Sequence, residues 1–314
     1  MQPAPLHSDI ARGPEGGRAF WLQAADGVQI RLGVWPGPAA AKGTVFLLPG
    51  RTEYIEKYGP AAADFAQRGY AILAVDWRGQ GLADRLVEDP MQGHVVNFAD
   101  YQIDMAAVLQ AANALDLPRP WFILGHSMGG AIGLRAVMGA HPFAACAFSA
   151  PMWGIGLPRL VRPFGPALAR ALNDTALAAR YAPGTGPQTY VYRDAFLDNK
   201  LTTDPGMWAF MVDQVAHVPA LMLGGPSWRW VTEGILECAA LAALPAPDLP
   251  CYTALGGMER IVDIPAVERQ IARWPKARLD RIPGAQHEVM METAASRAHF
   301  YDACAALFDA QITG

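Results

Sequence analysis

Residues 125–129 read Gly-His-Ser-Met-Gly, a G-x-S-x-G run with Gly125, Ser127 and Gly129 in the fixed places. An apolar stretch of strand length, Trp121–Leu124, leads into it, and helix formers from Ala131 to Met138 follow. Strand, sharp turn and helix put Ser127 at an apex. A Cβ at Gly125 or Gly129 would clash in so tight a turn, and the first helical N–H, from Met128, can face an oxyanion. A nucleophile beside an oxyanion donor is the beginning of acyl-transfer chemistry.

A serine hydroxyl is a weak nucleophile at neutral pH and needs a base. The chain has seven histidines. His126 adjoins Ser127 and its side chain is expected to point away from it. His94 and His141 lie in loops at the wrong strands, His217 in an irregular middle segment, His7 in a tail expected to be mobile, and His299 within the last helix. His287 follows the last strand, in Pro283-Gly284-Ala285-Gln286-His287-Glu288. A loop there can reach the elbow, so His287 is the expected base. The base needs an acid that orients its ring, and in elbow hydrolases the chain order is Ser, Asp or Glu, then His. Cys251–Leu255 runs into Gly256-Gly257-Met258-Glu259-Arg260-Ile261-Val262-Asp263. Glu259 is nearer the strand end and is the expected acid; Asp263 is the alternative, or else caps the following helix or fixes the loop. The second oxyanion donor is expected from the loop after Thr44–Leu48, at Arg51 N–H, with Gly50 allowing close backbone approach.

Those residues need a sheet to hold them. Ala19–Gln23 and Val28–Val34 flank an Asp26-Gly27 turn and read as a hairpin. Thr44–Leu48, Tyr70–Val75, Trp121–Leu124, Ala144–Phe148, Cys251–Leu255 and Ala277–Ile282 read as strands. Pro60–Arg68, Asp100–Asn113, Trp230–Leu244, Pro265–Trp274 and Ala294–Leu307 read as helices. The alternation predicts an α/β fold with a mostly parallel sheet covered on both faces. Residues 151–227 break the pattern, with amphipathic pieces at Ala167–Tyr181 and Met207–Val215. We read residues 1–150 and 228–314 as the two parts of one core and 151–227 as a helical cap above the strand ends. Trp153, Trp208 and Phe210 could line an acyl pocket under that cap or pack it on the core.

Composition narrows the function further. The chain has 314 residues, 52% hydrophobic and 17% charged, with formal net charge −4. That supports a sizeable core, and the lack of a like-charge run argues against a nucleic-acid partner. Cys146, Cys238, Cys251 and Cys304 are scattered and read as thiols rather than disulfides or metal ligands. No H-E-x-x-H cluster occurs, so neither a metal nor another cofactor is expected. Met1–Gly17 has the character of neither a signal peptide nor an anchor, and a cytoplasmic enzyme is expected. Asp76–Gly81 lacks a P-loop lysine and reads as a structural turn. Arg51, Glu53, Glu56 and Lys57 could bind a polar head group or be paired charges on an exposed loop.

Five stretches together resemble the monoglyceride lipase and lysophospholipase L2-like branch of the α/β-hydrolases, the serine aminopeptidase S33-type family. They are 50–58 (Gly-Arg-Thr-Glu-Tyr-Ile-Glu-Lys-Tyr), 76–81 (Asp-Trp-Arg-Gly-Gln-Gly), 125–130, 149–154 (Ser-Ala-Pro-Met-Trp-Gly) and 284–287. The resemblance implies the α/β-hydrolase fold and an esterase triad of Ser127, an acid and His287 beneath a cap. It implies a small-molecule ester or singly acylated lipid as substrate, with peripheral membrane contact through the cap as a further expectation. Two departures stand out: Pro49-Gly50 where many relatives have His-Gly, and Glu259 where Asp is common. A serine peptidase of the same family and a non-catalytic ligand-binding member of the fold are the alternatives.

Overall fold

Apolar runs separated by amphipathic ones fold as period and length dictate. A computed structural model describes residues 1–156, 160–161 and 164–312. Among the described residues nine strands form one sheet: β1 (Gln2–Ala4), β2 (Arg18–Gln23), β3 (Gln29–Trp35), β4 (Thr44–Leu48), β5 (Ala71–Asp76), β6 (Trp121–His126), β7 (Phe143–Ser149), β8 (Cys251–Gly256) and β9 (Ala277–Ile282). Their order across the sheet is β1-β2-β3-β5-β4-β6-β7-β8-β9. The β1–β2, β2–β3 and β3–β5 pairs are antiparallel, and every pair from β5–β4 to β8–β9 is parallel.

The helices are α1 (Ser8–Ala11), α2 (Gly59–Gln67), α3 (Asp100–Ala114), α4 (Met128–Val137), α5 (Gly165–Asn173), α6 (Tyr190–Arg193), α7 (Pro205–His217), α8 (Trp228–Ala243), α9 (Ile264–Ala272) and α10 (Ala294–Asp309). Side-chain alternation splits the buried strands between two cores. Phe46 and Leu48 of β4 join one cluster, with α3, α4 and α8, while Val45 and Leu47 join the other, with α2 and α10. A sheet covered on both faces needs apolar residues at every position of its central strands. β4, β5, β6 and β8 are buried throughout.

The N-terminal segment departs from expectation. It is tied down: β1 adds an edge strand to β2, and Glu56 Oε1 accepts from His7 N–H at 3.2 Å. Arg31 Nη1 also donates to Pro5 O at 2.9 Å. The backbone of a polar, Pro-rich stretch is held by partners far along the chain, which local composition does not reveal.

Between β7 and α8 the described chain contains no β-strand. It carries α5, α6, α7 and single 3-10 turns at Ala176–Ala179, Phe196–Asp198 and Pro219–Leu221. Asp204 caps α7 by accepting from Gly206 N–H at 2.8 Å and Met207 N–H at 3.0 Å, satisfying amides that a helix start leaves unpaired.

Candidate active site

Ser127 is the hinge between β6 and α4. Its φ of 49° and ψ of −117° are strained for a residue with a side chain. The structure bears out the steric need for the flanking glycines. A Cβ on Gly129 would lie 2.0 Å from Leu48 O, and one on Gly125 would lie 2.8 Å from Gly129 O. The neighbouring backbone is anchored, with Ser127 N–H donating to Ser149 O at 3.1 Å and Met152 N–H to Ser127 O at 2.8 Å. The elbow is therefore over-determined, which is what strained backbone requires to persist.

Ser127 opens on a cavity of about 360 Å³ that His287, Arg51 and Met128 also line. His287 sits beyond the end of β9 and Glu259 beyond the end of β8, so neighbouring parallel strands deliver them together. His287 Nδ1 lies 2.7 Å from Glu259 Oε2. Glu259 Oε1 is occupied by Ile261 N–H at 2.6 Å and Val262 N–H at 3.2 Å. Burial pushes this carboxyl's pKa up, but His287 and the two amides outweigh that and hold it below the ordinary value. Ser127 and His287 are not hydrogen-bonded to each other here; such contacts often tighten only around a substrate. Asp263 stands at the N-cap position of α9, yet its side chain makes no cap hydrogen bond there.

Two residues with free backbone amides line the same cavity. Met128 N–H begins α4, and Arg51 N–H lies in the loop after β4. Among the described residues neither is committed to an intramolecular acceptor. The Pro49-Gly50 loop is braced from below. Trp77 Nε1 donates to Pro49 O at 3.1 Å. Gln80 Nε2 donates to Gly50 O at 2.7 Å and Glu53 O at 3.0 Å. Glu53 Oε2 accepts from Gly50 N–H and from Tyr58 OH. Asp76–Gly81 is the structural turn expected there, and Trp77 and Gln80 are the side chains by which it supports the loop.

The charges at residues 53–57 are buried, which excludes the expected exposed loop for them. Lys57 Nζ bridges Glu53 Oε1 at 2.7 Å and Glu288 Oε2 at 2.6 Å, and Arg31 pairs with Glu56 and Asp76, each at 2.7 Å. Ligand-type atoms of Glu53, His126 and Glu288 gather within 4.8 Å of one another, and the Lys57 ammonium is the cation that joins the two carboxylates. One ammonium divides unequally between them. Burial pushes Glu53 up, but Lys57, His126 and the Tyr58 hydroxyl overcome this and bring it down to about 2. Glu288, with fewer donors, is left raised by burial.

Four expected placements are corrected. His126 does not turn away from the site. Its ring centre lies 4.9 Å from that of His287, its Nδ1 is 3.0 Å from Ser149 O, and burial holds its pKa down to about 4. Trp153 points into the core, because its indole N–H donates to Gly130 O at 3.0 Å and its ring packs against Phe148 and Trp274. Phe210 also faces the core, with the Arg12 guanidinium 4.7 Å from its ring centre. Trp208 does line the cavity. Residues two apart on a helix are rotated by about 200°, so Trp208 and Phe210 could not share a face. Lys57, Glu53 and Glu56 are no head-group cluster, since each is paired with an opposite buried charge; of that run Arg51 alone brings to the cavity a charge that no carboxylate among the described residues pairs with.

The middle segment is stitched to the histidine loop by its backbone. His287 N–H donates to Lys200 O at 3.3 Å and Glu288 N–H to Leu201 O at 2.8 Å.

A family model described as serine aminopeptidase S33 matches residues 39–294. The chain is 31% identical over 257 residues to a probable lysophospholipase L2 of Haemophilus influenzae, covering 81% of this chain and 80% of that one. It is 33% identical over 272 residues to lysophospholipase L2 of Escherichia coli, covering 81% and 76%. A soluble variant of monoglyceride lipase from Saccharomyces cerevisiae, solved with a substrate analogue, superposes with a TM-score of 0.70 at 22% identity over 93% of this chain and 95% of that one.

Proposed function

Because the chain belongs to the serine aminopeptidase S33 family of α/β-hydrolases, we propose that it hydrolyses the carboxylic ester of a singly acylated lipid, a lysophospholipid or monoacylglycerol, or of a simpler ester. Ser127 is the nucleophile, His287 the base and Glu259 the acid that orients it. The observation that carries this reading is the buried His287–Glu259 pair at 2.7 Å, whose histidine lines the same cavity as the strained Ser127.

In the mechanism, Ser127 Oγ attacks the acyl carbonyl as its proton passes to His287 Nε2. Glu259 is held ionised, so it accepts from Nδ1–H and stabilises the imidazolium. Arg51 N–H and Met128 N–H receive the oxyanion, being fixed donors with nothing else to bond. His287 then protonates the leaving alcohol. Water attacks the acyl-enzyme with the same base and the same oxyanion contacts, releasing the fatty acid and restoring Ser127.

Residues 151–227 act as a cap, with Trp208 and Leu201 on the cavity side. Leu160, Phe164, Leu168, Leu177 and Leu197 are exposed on this segment, a concentration of apolar surface suited to peripheral contact with the lipid from which substrate is drawn. No helix among the described residues is long and apolar enough to cross a membrane. Four buried free thiols suit a cytoplasmic setting. Peptide hydrolysis is the weaker reading: the cavity carboxylates of Glu53, Glu288 and Asp194 already pair with Lys57 or Arg193, leaving no unpaired carboxylate among the described cavity residues to receive a substrate amine.

A fluorescent serine-reactive phosphonate, with a panel of esters, tests the proposal. Labelling of the wild-type protein and its loss in Ser127→Ala are expected, together with hydrolysis of acyl esters. A wild-type protein that neither labels nor cleaves any ester would defeat it.

A further inference from the structure

Around the cavity, cations differ in whether their charge is already answered. Lys57 is shared between Glu53 and Glu288. Arg193 is held by Asp194, Nε to Oδ1 at 2.7 Å. Lys200 is exposed. Arg51 is only partly exposed, and no carboxylate among the described residues pairs with it. Its Nη1 donates to Gly224 O at 2.9 Å, and its guanidinium lies 5.6 Å from the centre of the Trp230 ring. One bond to a carbonyl leaves the rest of a planar donor fork unused. Burial, with Arg193 nearby, lowers its pKa to about 10, so it remains a cation at neutral pH. A partly desolvated cation without a counter-ion costs stability, and a fold keeps one most readily where a ligand supplies the anion.

The position of this charge suggests what that anion is. The proposed oxyanion donor is the backbone N–H of the same residue. The guanidinium is therefore held one arginine side chain from the scissile carbonyl. In a lysophospholipid the glycerol backbone separates the ester carbonyl from the phosphate by a comparable reach. A planar fork matches phosphate oxygens better than a point charge does. Monoacylglycerol has only hydroxyls there, which would leave the guanidinium unanswered. We propose that Arg51 binds the head-group phosphate of a lysophospholipid, making the glycerophospholipid monoester the preferred substrate over monoacylglycerol. The inference rests on the ester-hydrolase reading above and adds the substrate class.

The test compares kcat/KM for 1-decanoyl lysophosphatidylcholine with that for 1-decanoylglycerol in the wild type, Arg51→Gln, Arg51→Lys and Lys200→Gln. The readout is the ratio of the two values, so a general loss from a disturbed oxyanion loop cancels. The wild type should favour the lysophospholipid, and Arg51→Gln should lower the ratio by about 10- to 100-fold. Arg51→Lys, which keeps the charge and loses the fork, should fall between. Should Arg51→Gln not fold, the Arg51→Lys ratio decides alone. A ratio unchanged in the Arg51 variants, or one that falls only in Lys200→Gln, would overturn the assignment while leaving ester hydrolysis standing. Failure of the wild type to cleave either lipid or to label with the phosphonate would instead bring down the underlying reading.

Discussion

The polar floor of the cavity and the wall that Leu201 and Trp208 give it differ in what they offer a substrate. On the floor, Glu259, His287, Glu53 and His126 are each at most 6% exposed; His287 and Glu259 meet at 2.7 Å, His126 Nε2 and Glu53 Oε1 lie 3.7 Å apart, and the two imidazole ring centres are 4.9 Å apart. In the segment between β7 and α8, Leu160 is 89% and Leu197 92% exposed, and Leu201 and Trp208 give the cavity an apolar wall, while the backbone of Lys200 and Leu201 is tied to the histidine loop. A buried polar network tolerates no half-satisfied member, whereas an apolar wall can be reshaped while remaining a wall. Substitutions on the floor should therefore damage chemistry or stability outright, and substitutions above should alter which substrate is used.

The sharpest way to break this contrast is at the reacting atoms. Ser127→Ala and His287→Ala should each reduce kcat by about 10⁶; Ser127→Ala should keep the melting temperature near that of the wild type, whereas His287→Ala should also lower it, because it leaves the buried Glu259 carboxylate without its partner. Ester turnover close to wild type in either variant, with contamination excluded, would remove the floor from the chemistry. Next in size is the acid. Glu259→Gln should lower kcat by about 10⁴ through loss of the ring's orientation and charge partner. Asp263→Asn should cost far less. The reverse ranking in steady-state assays would move the triad acid to Asp263.

The floor was largely readable in the sequence because its parts are imposed locally. An elbow needs its glycines within two residues of the serine, and a base must follow a strand, so Ser127 and His287 could be proposed from position, with Glu259 or Asp263 as the acid; the structure brings Glu259 within 2.7 Å of His287. The same logic placed the central strands within a residue or two. What escaped depends on contacts between distant parts of the chain. The N-terminal edge strand exists only because β2 offers an open edge. Lys57 is buried only because Glu288, 231 residues away, meets it. Trp153 and Phe210 were expected at the cavity for their size, but which way an aromatic faces is decided by its neighbours: Gly130 O for Trp153, the packed core for Phe210. His126 was misplaced for the same reason.

The Lys57 bridge sharpens the comparison from the stability side. Lys57→Met leaves Glu53 and Glu288 buried without their cation, which should cost about 3–5 kcal/mol in denaturant unfolding. The loss should shrink as pH falls into the carboxylate range, because protonation removes the unpaired charges. A loss of under about 1 kcal/mol, the size of an exposed pair, would mean the network is not a constraint. His126 gives a smaller, pH-resolved effect. Burial holds its pKa at about 4 against 6.5 in the unfolded chain. Between those values the unfolded chain binds the extra proton, so stability must fall as pH drops from 6.5 towards 4. His126→Asn should flatten the pH dependence of Tm in that window; an unchanged slope would show that this imidazole is not the group responsible.

The smallest and most selective effect belongs above the floor. Trp208 is 8% exposed, lines the cavity from α7, and has the Phe196 ring 6.2 Å away. Each methylene that an acyl chain buries against such a wall is worth roughly 0.8 kcal/mol, so kcat/KM should rise with chain length until the cavity ends. Removing the indole leaves the ester carbonyl, the oxyanion donors and the triad where they were, and takes away only the surface that long chains touch. Trp208→Ala should accordingly leave p-nitrophenyl acetate hydrolysis within about threefold of wild type and reduce that of the decanoate by about 10- to 100-fold, the scale of a few lost methylene contacts. The competing possibility is that Trp208 chiefly packs α7 onto the core. Tm would then drop and every chain length would lose activity in the same proportion, and the division between a floor that reacts and a wall that selects would fail at the residue where it is most exposed to test.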